Sequence, residues 1–271
     1  LFFTYLILFI VMAAIIYPLL WTVGASFNPG NSLVSTTLIP ENPTLDHYRE
    51  LFEGRKNLPY VQWYMNSMKI SFFTMILTVI SVSFTGYAFS RFRFKGRKNG
   101  LTLFLLLQMI PQFSALIALY VLAQMLGLMN SHWLLIVLYT GGQIPMNTYL
   151  MKGYMDSIAI DLDESARMDG AGPTRIFFQI IMPLAKPMIA VVAMNGFTGP
   201  LGDFVLSSVI LRNTESYTLP IGLFNLVNDV QGGSYTTFAA GAILISIPVA
   251  IIFVLLQKNF VAGLTAGGTK G

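Results

Sequence analysis

Long uncharged stretches separate short charged segments along this chain of 271 residues. A helix needs about 20 apolar residues to cross the hydrocarbon core of a bilayer. Runs of that length recur, and the longest one is divided by the polar sequence GLMNSH at residues 127–132. The pattern predicts six membrane-spanning helices, at residues 2–23, 70–90, 101–125, 132–151, 187–211 and 238–257. We therefore expect an all-α, polytopic membrane protein whose residues 1–271 form a single transmembrane domain.

The composition and the form of the apolar runs support a helical membrane protein and exclude a soluble domain and a transmembrane β-barrel. Charged residues make up 10% of the chain, whereas a soluble domain has about 25%. A transmembrane β-barrel is excluded because the apolar runs lack period-two alternation and are too long for barrel strands. The first run is too long for the apolar part of a secretory signal, and Leu1 without a preceding Met suggests that cytoplasmic residues precede it. The chain contains no cysteine, which excludes disulfides and thiolate metal sites.

The distribution of Lys and Arg predicts which segments face the cytoplasm. With the N-terminus inside, the inner segments 91–98, 152–186 and 258–271 hold eleven of the 16 basic residues. Basic residues favour cytoplasmic loops, so we expect both termini in the cytoplasm and outer loops at 26–65 and 212–237. The cluster RFRFKGRK at 91–98 has the composition of a nucleic-acid-binding run, but it adjoins two spans and is better explained as a topology signal.

The two predicted outer loops are longer than simple turns. The first holds four prolines, which predicts irregular structure with one short helix near residues 47–53. In the second, the adjacent residues Gly232 and Gly233 are a turn signal.

Proline, glycine and polar residues interrupt the predicted spans. The fifth span contains NGFTGPLGD at residues 195–203, and such residues leave backbone groups that other helices or cavity water must satisfy. Two interpretations stay open: an ordinary kink, or a broken helix that lines a transport pathway. The candidate pathway-lining residues are Asn195, Gly199, Pro200 and Asp203. Asp203 is the only acid well within a predicted span, which makes it a functional candidate by default. A structural role is nevertheless favoured, because Asp203 lies near Arg212 in the outer part of the helix. The same holds for the amides of Gln108, Gln143 and Asn195, since helix–helix hydrogen bonding is their commoner use.

Residues 152–186 form a charged segment between the predicted fourth and fifth spans, which we call the coupling segment. Nine of the chain's charged residues lie in it. Asp161 and Glu164 have the spacing of a capping box, which predicts a helix that begins at Asp161. On that helix, Leu162 and Ala166 would form one face. Its polar side would consist of Asp163, Glu164 and Arg167.

A turn and a second helix are predicted further along the coupling segment. Gly170 suits the left-handed position that ends a helix, and Pro173 suits a first helical turn. The second helix would carry an apolar stripe and then meet two prolines. The stripe consists of Ile176, Phe177, Ile180 and Ile181, and the prolines are Pro183 and Pro187. By spacing alone, this helix pair is a structural feature of the membrane surface with no defined partner.

The coupling segment resembles the EAA signature of permease subunits from binding-protein-dependent, ATP-driven importers. That signature has Glu-Ala-Ala, three residues, Gly, nine residues and Ile-x-Leu-Pro. The matching residues are Glu164, Ser165, Ala166, Gly170, Ile180, Ile181, Met182 and Pro183. Ser165 replaces an alanine, Met182 replaces a leucine, and both changes are small. Asp169 and Ala171 also fit the common Asp-Gly-Ala core.

The resemblance covers nearly the whole chain. YAFSR at 87–91, IPMNTYLMKGY at 144–154 and GLTAGGTKG at 263–271 are similar to segments of carbohydrate importers, and specifically of the smaller, six-span permease subunit of maltose and maltodextrin transporters. The resemblance implies a type I ABC importer transmembrane domain in a bacterial cell membrane. Neighbouring oligosaccharide permeases share these motifs, so another cargo, such as a raffinose-type sugar, is the alternative.

The family resemblance also implies partners. They are a second permease subunit in a heterodimer, two cytoplasmic ATPase subunits, an extracellular sugar-binding protein and membrane lipid, with no nucleic acid. ATP and Mg²⁺ would be held by the ATPase, and this chain would bind no cofactor or metal of its own.

The same resemblance implies three groups of site residues. The ATPase-coupling residues would be Glu164, Ser165, Ala166, Asp169, Gly170, Ala171, Ile176, Phe177, Ile180 and Pro183. A tail at the ATPase interface would include Gly263, Leu264, Thr265, Gly267 and Gly268. A loop that contacts the binding protein would include Asn228, Asp229, Gln231, Gly232, Gly233 and Ser234.

The chain itself is not expected to be an enzyme. It has no G-x-x-x-x-G-K-[ST] phosphate-binding loop, so it cannot hydrolyse ATP. An ion-coupled secondary transporter is a rival class, but it predicts inverted repeats and coupling residues at the midplane, and neither is visible. A structural or assembly protein is a third class, for which the EAA spacing would be coincidental.

Overall fold

The structure is a computed structural model that describes residues 1–31, 38–53, 58–228 and 234–268. All regular structure in these residues is helical, so the predicted all-α class is confirmed. In chain order the α-helices are α1 (Phe2–Ser26), α2 (Asp46–Glu53), α3 (Tyr60–Arg91), α4 (Arg97–Leu107), α5 (Gln112–Met125), α6 (His132–Asp156), α7 (Asp161–Met168), α8 (Pro173–Ile176), α9 (Met182–Leu184), α10 (Lys186–Gly202), α11 (Val205–Ile210), α12 (Leu219–Asn228) and α13 (Tyr235–Gly268). A π-helical turn (Phe177–Ile181) joins α8 to α9, and a 3₁₀ turn (Thr214–Ser216) precedes α12.

Three of the described helices are long and apolar enough to cross a membrane. They are α1, α3 and the Tyr235–Asn259 part of α13, with mean hydropathies of 2.5, 1.7 and 2.8. The helical stretches Pro173–Leu184 and Lys186–Gly202 together form a fourth candidate, bent by 80°. Helix α6 covers the predicted fourth span with 25 residues. The total of six spans stays a prediction, as does the single transmembrane domain.

Two of the predicted spans are each divided into two helices. The predicted third span is interrupted between α4 and α5, where Pro111 is extended, with φ −60° and ψ 121°, and has no N–H to continue a helix. The predicted fifth span is interrupted at Asp203, which has an extended ψ of 122° between α10 and α11. For the fifth span the structure therefore shows a broken helix and not an ordinary kink.

One compact unit consists of Leu1–Asn66 and Asn213–Ala250. Its core contains Leu51, Tyr60, Trp63, Leu219, Leu223 and Ala240. Trp63 packs directly on Gly222, where an added Cβ would lie 2.0 Å from the indole. The predicted short helix is confirmed as α2. Helix α12 was not predicted, because Pro220 and Gly222 lower its helix propensity.

The other compact unit consists of Ser67–Arg212 and Ile251–Gly271. Its core brings α3, α6 and α10 together with the C-terminal half of the coupling segment, through Val82, Tyr87, Met151, Met155, Ile176, Phe177, Ile181, Ala185 and Val192. Helices α3 and α10 approach closely at Gly196, where an added Cβ would lie 2.8 Å from the Met75 Cα. Small residues allow such close packing of membrane helices.

Candidate functional site

The first five residues of the coupling segment belong to the end of α6, and the next helix is α7, whose first turn differs from the sequence prediction. Ile160 already has helical dihedrals, with φ −67° and ψ −24°, and it makes no side-chain cap. Its carbonyl accepts a hydrogen bond from the Glu164 N–H at 3.1 Å. The predicted start of the helix at Asp161 is confirmed, but the predicted capping box between Asp161 and Glu164 is wrong, because Ile160 and not Asp161 occupies the N-cap position. The acids of this turn, which also include Asp163, still lie where the helix dipole favours negative charge.

A Schellman turn ends α7 as the sequence predicted. Gly170 has a φ of +81°, a conformation that costs L-residues with a Cβ about 1–2 kcal/mol. Its N–H donates to the Arg167 carbonyl at 3.0 Å, and the Ala171 N–H donates to the Ala166 carbonyl at 2.9 Å. These two bonds satisfy carbonyls that the end of a helix leaves free. Pro173 occupies the first turn of α8, also as predicted.

The predicted apolar stripe anchors the second part of the coupling segment in the core. Ile176, Phe177 and Ile181 are buried, and Ile180 is partly buried against the same cluster. The ring of Phe177 stacks on Phe84 of α3, with centroids 4.9 Å apart. The stripe is not a simple α-helix, however. It continues as the π-helical turn, in which the Met182 N–H bonds to the Phe177 carbonyl, just before the exposed Pro183.

A buried ion pair joins the coupling segment to the end of α3. Arg91 Nε lies 2.8 Å from Asp163 Oδ2, and the exposed fractions of the two side chains are 4% and 0%. The N–H does not point at the carboxylate, so the contact is ionic without an aligned hydrogen bond. The guanidinium also donates to the Ile158 carbonyl at 3.0 Å.

The prediction for the faces of α7 was therefore wrong. Asp163 was assigned to a polar outer side, but it is buried together with the half-buried Ala166, whereas Leu162 is exposed. Asp163 and Ala166 are three residues apart and hence share a helix face. The small side chain of Ala166 was the signal that could have identified that face.

The opposite side of α7 presents an exposed surface, which we call the docking face. It consists of Glu164, Ser165, Met168 and Asp169. The thioether side chain of Met168 is 88% exposed. An exposed flexible apolar side chain beside carboxylates suits contact with another protein.

The other two predicted contact regions are described only in part. Gly263, Leu264, Thr265, Gly267 and Gly268 all belong to α13, which extends to Gly268. Asn228 ends α12, and the Ser234 hydroxyl lies 2.7 Å from the Thr237 hydroxyl. Asp229, Gln231, Gly232 and Gly233 lie outside the described residues.

A cavity of about 710 Å³ lies among α5, α6, α10 and α11. Its polar lining residues are Gln108, Tyr139, Gln143, Asn147, Asn195, Thr198 and Asp203. The described lining residues include no Lys or Arg. The volume falls within the range of about 300–1,000 Å³ typical of small-molecule sites. Of the candidate pathway-lining residues, Asn195, Gly199 and Asp203 line this cavity, whereas Pro200 is buried inside α10.

The amides of the cavity bridge neighbouring helices, as the sequence favoured. Asn195 donates from Nδ2 to Asn147 Oδ1 at 3.2 Å. Gln108 donates to the Gly142 carbonyl at 3.1 Å. Gln143 differs, because its buried Oε1 has no hydrogen-bond partner within the described chain. A buried acceptor without a partner costs about 1–3 kcal/mol.

Asp203 has a structural role at the break between α10 and α11. Its Oδ2 accepts a hydrogen bond from the Tyr139 hydroxyl at 2.7 Å and from the Ser207 N–H at 3.0 Å. The carboxylate therefore caps the start of α11 and ties it to α6. The sequence indicated a structural use of Asp203, but it gave no sign of Tyr139 as the partner.

Comparison with known proteins identifies the class to which this fold and these sites belong. Residues 82–265 match the family described as "Binding-protein-dependent transport system inner membrane component". The chain belongs to this family, and its fold is that of a type I ABC importer transmembrane domain. A bacterial ABC transporter involved in the import of the acidic polysaccharide alginate has a chain with the same fold, with a TM-score of 0.78 and 21% identity over 96% of this chain and 95% of that one.

Curated relatives cover almost the whole chain. It is 77% identical to the galactooligosaccharides transport system permease protein GanQ of Bacillus subtilis, over 99% of this chain and 95% of the relative. It is 47% identical to the maltodextrin transport system permease protein MdxG of the same organism, with the same coverage. The maltose/maltodextrin permease protein MalG of Escherichia coli is 36% identical over 100% of this chain and 96% of the relative. The predicted resemblance to maltose-type permeases is thus confirmed.

Proposed function

We propose that this chain is a non-catalytic permease subunit of a heteromeric, ATP-driven importer of neutral oligosaccharides. The observation that carries the proposal is the geometry of the coupling segment. The docking face of α7 is exposed, the turn at Gly170 fixes its direction, and the following residues are buried in the core. In such an arrangement, a displacement of the docking face by a soluble partner would be transmitted to the membrane helices.

The partner at the docking face would be a cytoplasmic ATPase. Glu164 supplies a carboxylate for a basic residue of that partner, and Met168 supplies an apolar contact. Closure of two ATPase subunits on ATP and Mg²⁺, both bound by the ATPase, would move α7. Because Asp163 is paired with Arg91, this motion would also reach α3.

The remaining partners follow from the same assignment. A second permease subunit would complete the transport pathway. An extracellular binding protein would deliver the sugar to the loop that contains Asn228 and Ser234. The tail residues of α13, from Gly263 to Gly268, would contact the ATPase dimer. Both termini would lie in the cytoplasm.

Galactooligosaccharides are the cargo that the comparisons favour. The relative named for them is 77% identical, against 47% for the relative named for maltodextrin. The cavity supports a neutral sugar of either kind, because its amide and hydroxyl groups can both donate and accept hydrogen bonds. Its carboxylate, Asp203, is already occupied by Tyr139 and by the start of α11. Maltodextrin is the second candidate.

Two substitutions at Gly170 test the coupling role. An added side chain meets no atom within 4 Å there, so only the φ of +81° opposes it. Gly170→Val should lower uptake at least about tenfold or prevent ATPase assembly, because a β-branched residue is strained at this φ. Gly170→Asn should remain active, because Asn tolerates the left-handed region. The measurement is sugar-stimulated ATP hydrolysis and uptake in vesicles that contain both permeases, the ATPase and the loaded binding protein.

The controls separate coupling from folding and from substrate choice. Glu41→Ala, an exposed carboxylate outside the coupling segment, should leave both rates unchanged. The parental assembly should import galactooligosaccharides, and should not import uronic-acid oligomers. Equal uptake by the Gly170→Val and Gly170→Asn variants would contradict the coupling role. If the parental assembly showed no sugar-stimulated ATP hydrolysis, the proposed function as a whole would be contradicted.

A further inference from the structure

A second cavity, of about 650 Å³, lies at the C-terminal end of α3. It is lined by Phe89, Phe94, Gly96, Arg97, Lys98, Asn99, Leu101, Thr102, Leu105, Tyr149 and Lys152. Helix α3 is long and apolar enough to cross a membrane, and this cavity lies at the end of α3 where the charged sequence begins. It shares no lining residue with the polar cavity described above.

The cavity concentrates positive charge. Three of its lining residues are cations, Arg97, Lys98 and Lys152, and none of the described lining residues is acidic. Lys152 pairs with Asp156 at 2.5 Å, which offsets one charge. For Lys98 the structure shows no ion pair within the described residues, and it is exposed. A net positive cavity remains.

Arg97 is held in place by the backbone of α3. Its Nε donates to the Phe89 carbonyl at 2.6 Å, and one terminal nitrogen donates to the Ser90 carbonyl at 3.0 Å. These contacts cap carbonyls at the end of α3 and fix the orientation of the guanidinium. Other N–H donors of the planar guanidinium stay available, because it carries five in total.

Part of the cavity wall is apolar, beside the polar side chains of Asn99, Thr102 and Tyr149. The ring of Phe89 packs against Phe94, with centroids 5.3 Å apart. Helix α4 adds Leu101 and Leu105. Helices α3 and α4 are in close contact, because a Cβ added at Gly100 would lie 3.3 Å from the Phe89 ring. The site therefore combines cations with a surface suited to hydrocarbon.

We propose that this cavity binds an anionic phospholipid, with the phosphate headgroup on Arg97, Lys98 and Lys152 and the upper acyl chain against Phe89, Phe94 and Leu105. Basic pockets between helices at a membrane surface bind anionic headgroups. A small soluble anion has no hydrocarbon chain that could pack against the aromatic rings. The RFRFKGRK cluster then has a role besides topology. This inference does not depend on the identity of the transported sugar.

The test compares lipid retention by the purified transporter complex. The complex is extracted from membranes that contain phosphatidylglycerol and phosphatidylethanolamine, and the lipids that stay bound are identified by mass spectrometry. The parental complex should retain phosphatidylglycerol preferentially. Lys98→Gln should lower its retention about fivefold, since a basic residue at an anionic surface contributes about that factor, and Lys98→Gln with Lys152→Gln should lower it further. Arg97 is left unchanged because it caps α3.

Lys186→Gln is the matched control. Lys186 is an exposed lysine in the coupling segment, outside the cavity, and its substitution should leave lipid retention unchanged. Inorganic phosphate or glycerol phosphate should not displace the bound lipid. The proposal is overturned if the lysine variants retain as much phosphatidylglycerol as the parent, if phosphate alone displaces the lipid, or if the variants lose the ATPase while lipid retention is unchanged. The last result would identify the cavity as a protein contact.

Discussion

Arg91 and Asp163 form an ion pair in which both side chains are almost completely buried. Removal of one member of such a pair leaves an uncompensated charge in a region of low dielectric, at a cost of about 3–5 kcal/mol. Replacement of both by apolar residues is often neutral, because the desolvation of two charges is avoided. The pair therefore serves less as a source of stability than as a fixed connection between the docking face and α3.

We expect Asp163→Ala and Arg91→Ala each to lower the Tm of the purified complex and the number of sugars imported per ATP hydrolysed. The double variant Arg91→Met/Asp163→Leu should recover most of the Tm but not the coupling ratio, because no specific contact replaces the ion pair. Thermal denaturation and paired uptake and hydrolysis assays measure the two quantities. Arg93→Ala, which changes an exposed cation of the same cluster, is the control. If the single variants kept the parental Tm, the loss of one partner would not leave a costly unpaired charge, and this interpretation of the ion pair would be contradicted.

The local sequence was sufficient to predict the conformation of some residues of the coupling segment but not the burial of others. Gly170 and Pro173 have conformations set by their own backbone chemistry, so the sequence predicted the turn correctly. The burial of Asp163 depends on Arg91, which is distant in the chain, and no local pattern reports a partner of that kind. Tyr139 and Asp203 are a second such pair.

At the scale of elements, the breaks in the predicted spans shape the polar cavity. Helix α5 begins after the break at Pro111, and α11 begins after the break at Asp203; both helices contribute to the lining. Broken helices at membrane depth are tolerated where they line a cavity. The sequence predicted an interruption at NGFTGPLGD but left a kink and a broken helix both open, because the same residues produce simple kinks in other bundles.

Substitutions at Asp203 distinguish the structural role from ion coupling. Asp203→Ala should destabilise the protein by about 1–2 kcal/mol through loss of the cap on α11 and should slow uptake. Asp203→Asn keeps an acceptor oxygen for the Tyr139 hydroxyl and is itself a good cap, so its uptake should stay near the parental rate. Uptake in vesicles and thermal denaturation are the measurements, with Tyr139→Phe as the control for the hydroxyl contact. Loss of uptake in Asp203→Asn with an unchanged Tm would instead support a proton-coupled carrier.

At the scale of the whole molecule, the described chain forms two compact units, and α3 and α13 each contribute to both. The long apolar helices α1, α3 and α13 were predictable from composition, since hydropathy is a property of a sequence window. The boundaries of the two units were not predictable from composition. They depend on contacts between residues far apart in the sequence, such as Trp63 and Gly222. The side of the membrane on which each charged segment lies follows only from the basic residues.

The absence of native cysteine makes that orientation directly measurable. Four positions that are exposed in the structure serve as single-cysteine reporters: Glu41→Cys, Lys95→Cys, Met168→Cys and Glu215→Cys. If the Lys and Arg distribution sets the topology, a membrane-impermeant maleimide should label Glu41→Cys and Glu215→Cys in intact cells. It should label Lys95→Cys and Met168→Cys only after the membrane is permeabilised. The parental chain gives the background, and each variant must still support sugar uptake. Labelling of Met168→Cys in intact cells would place the docking face outside, where no ATP-hydrolysing partner is available, and would remove the basis for coupling through α7.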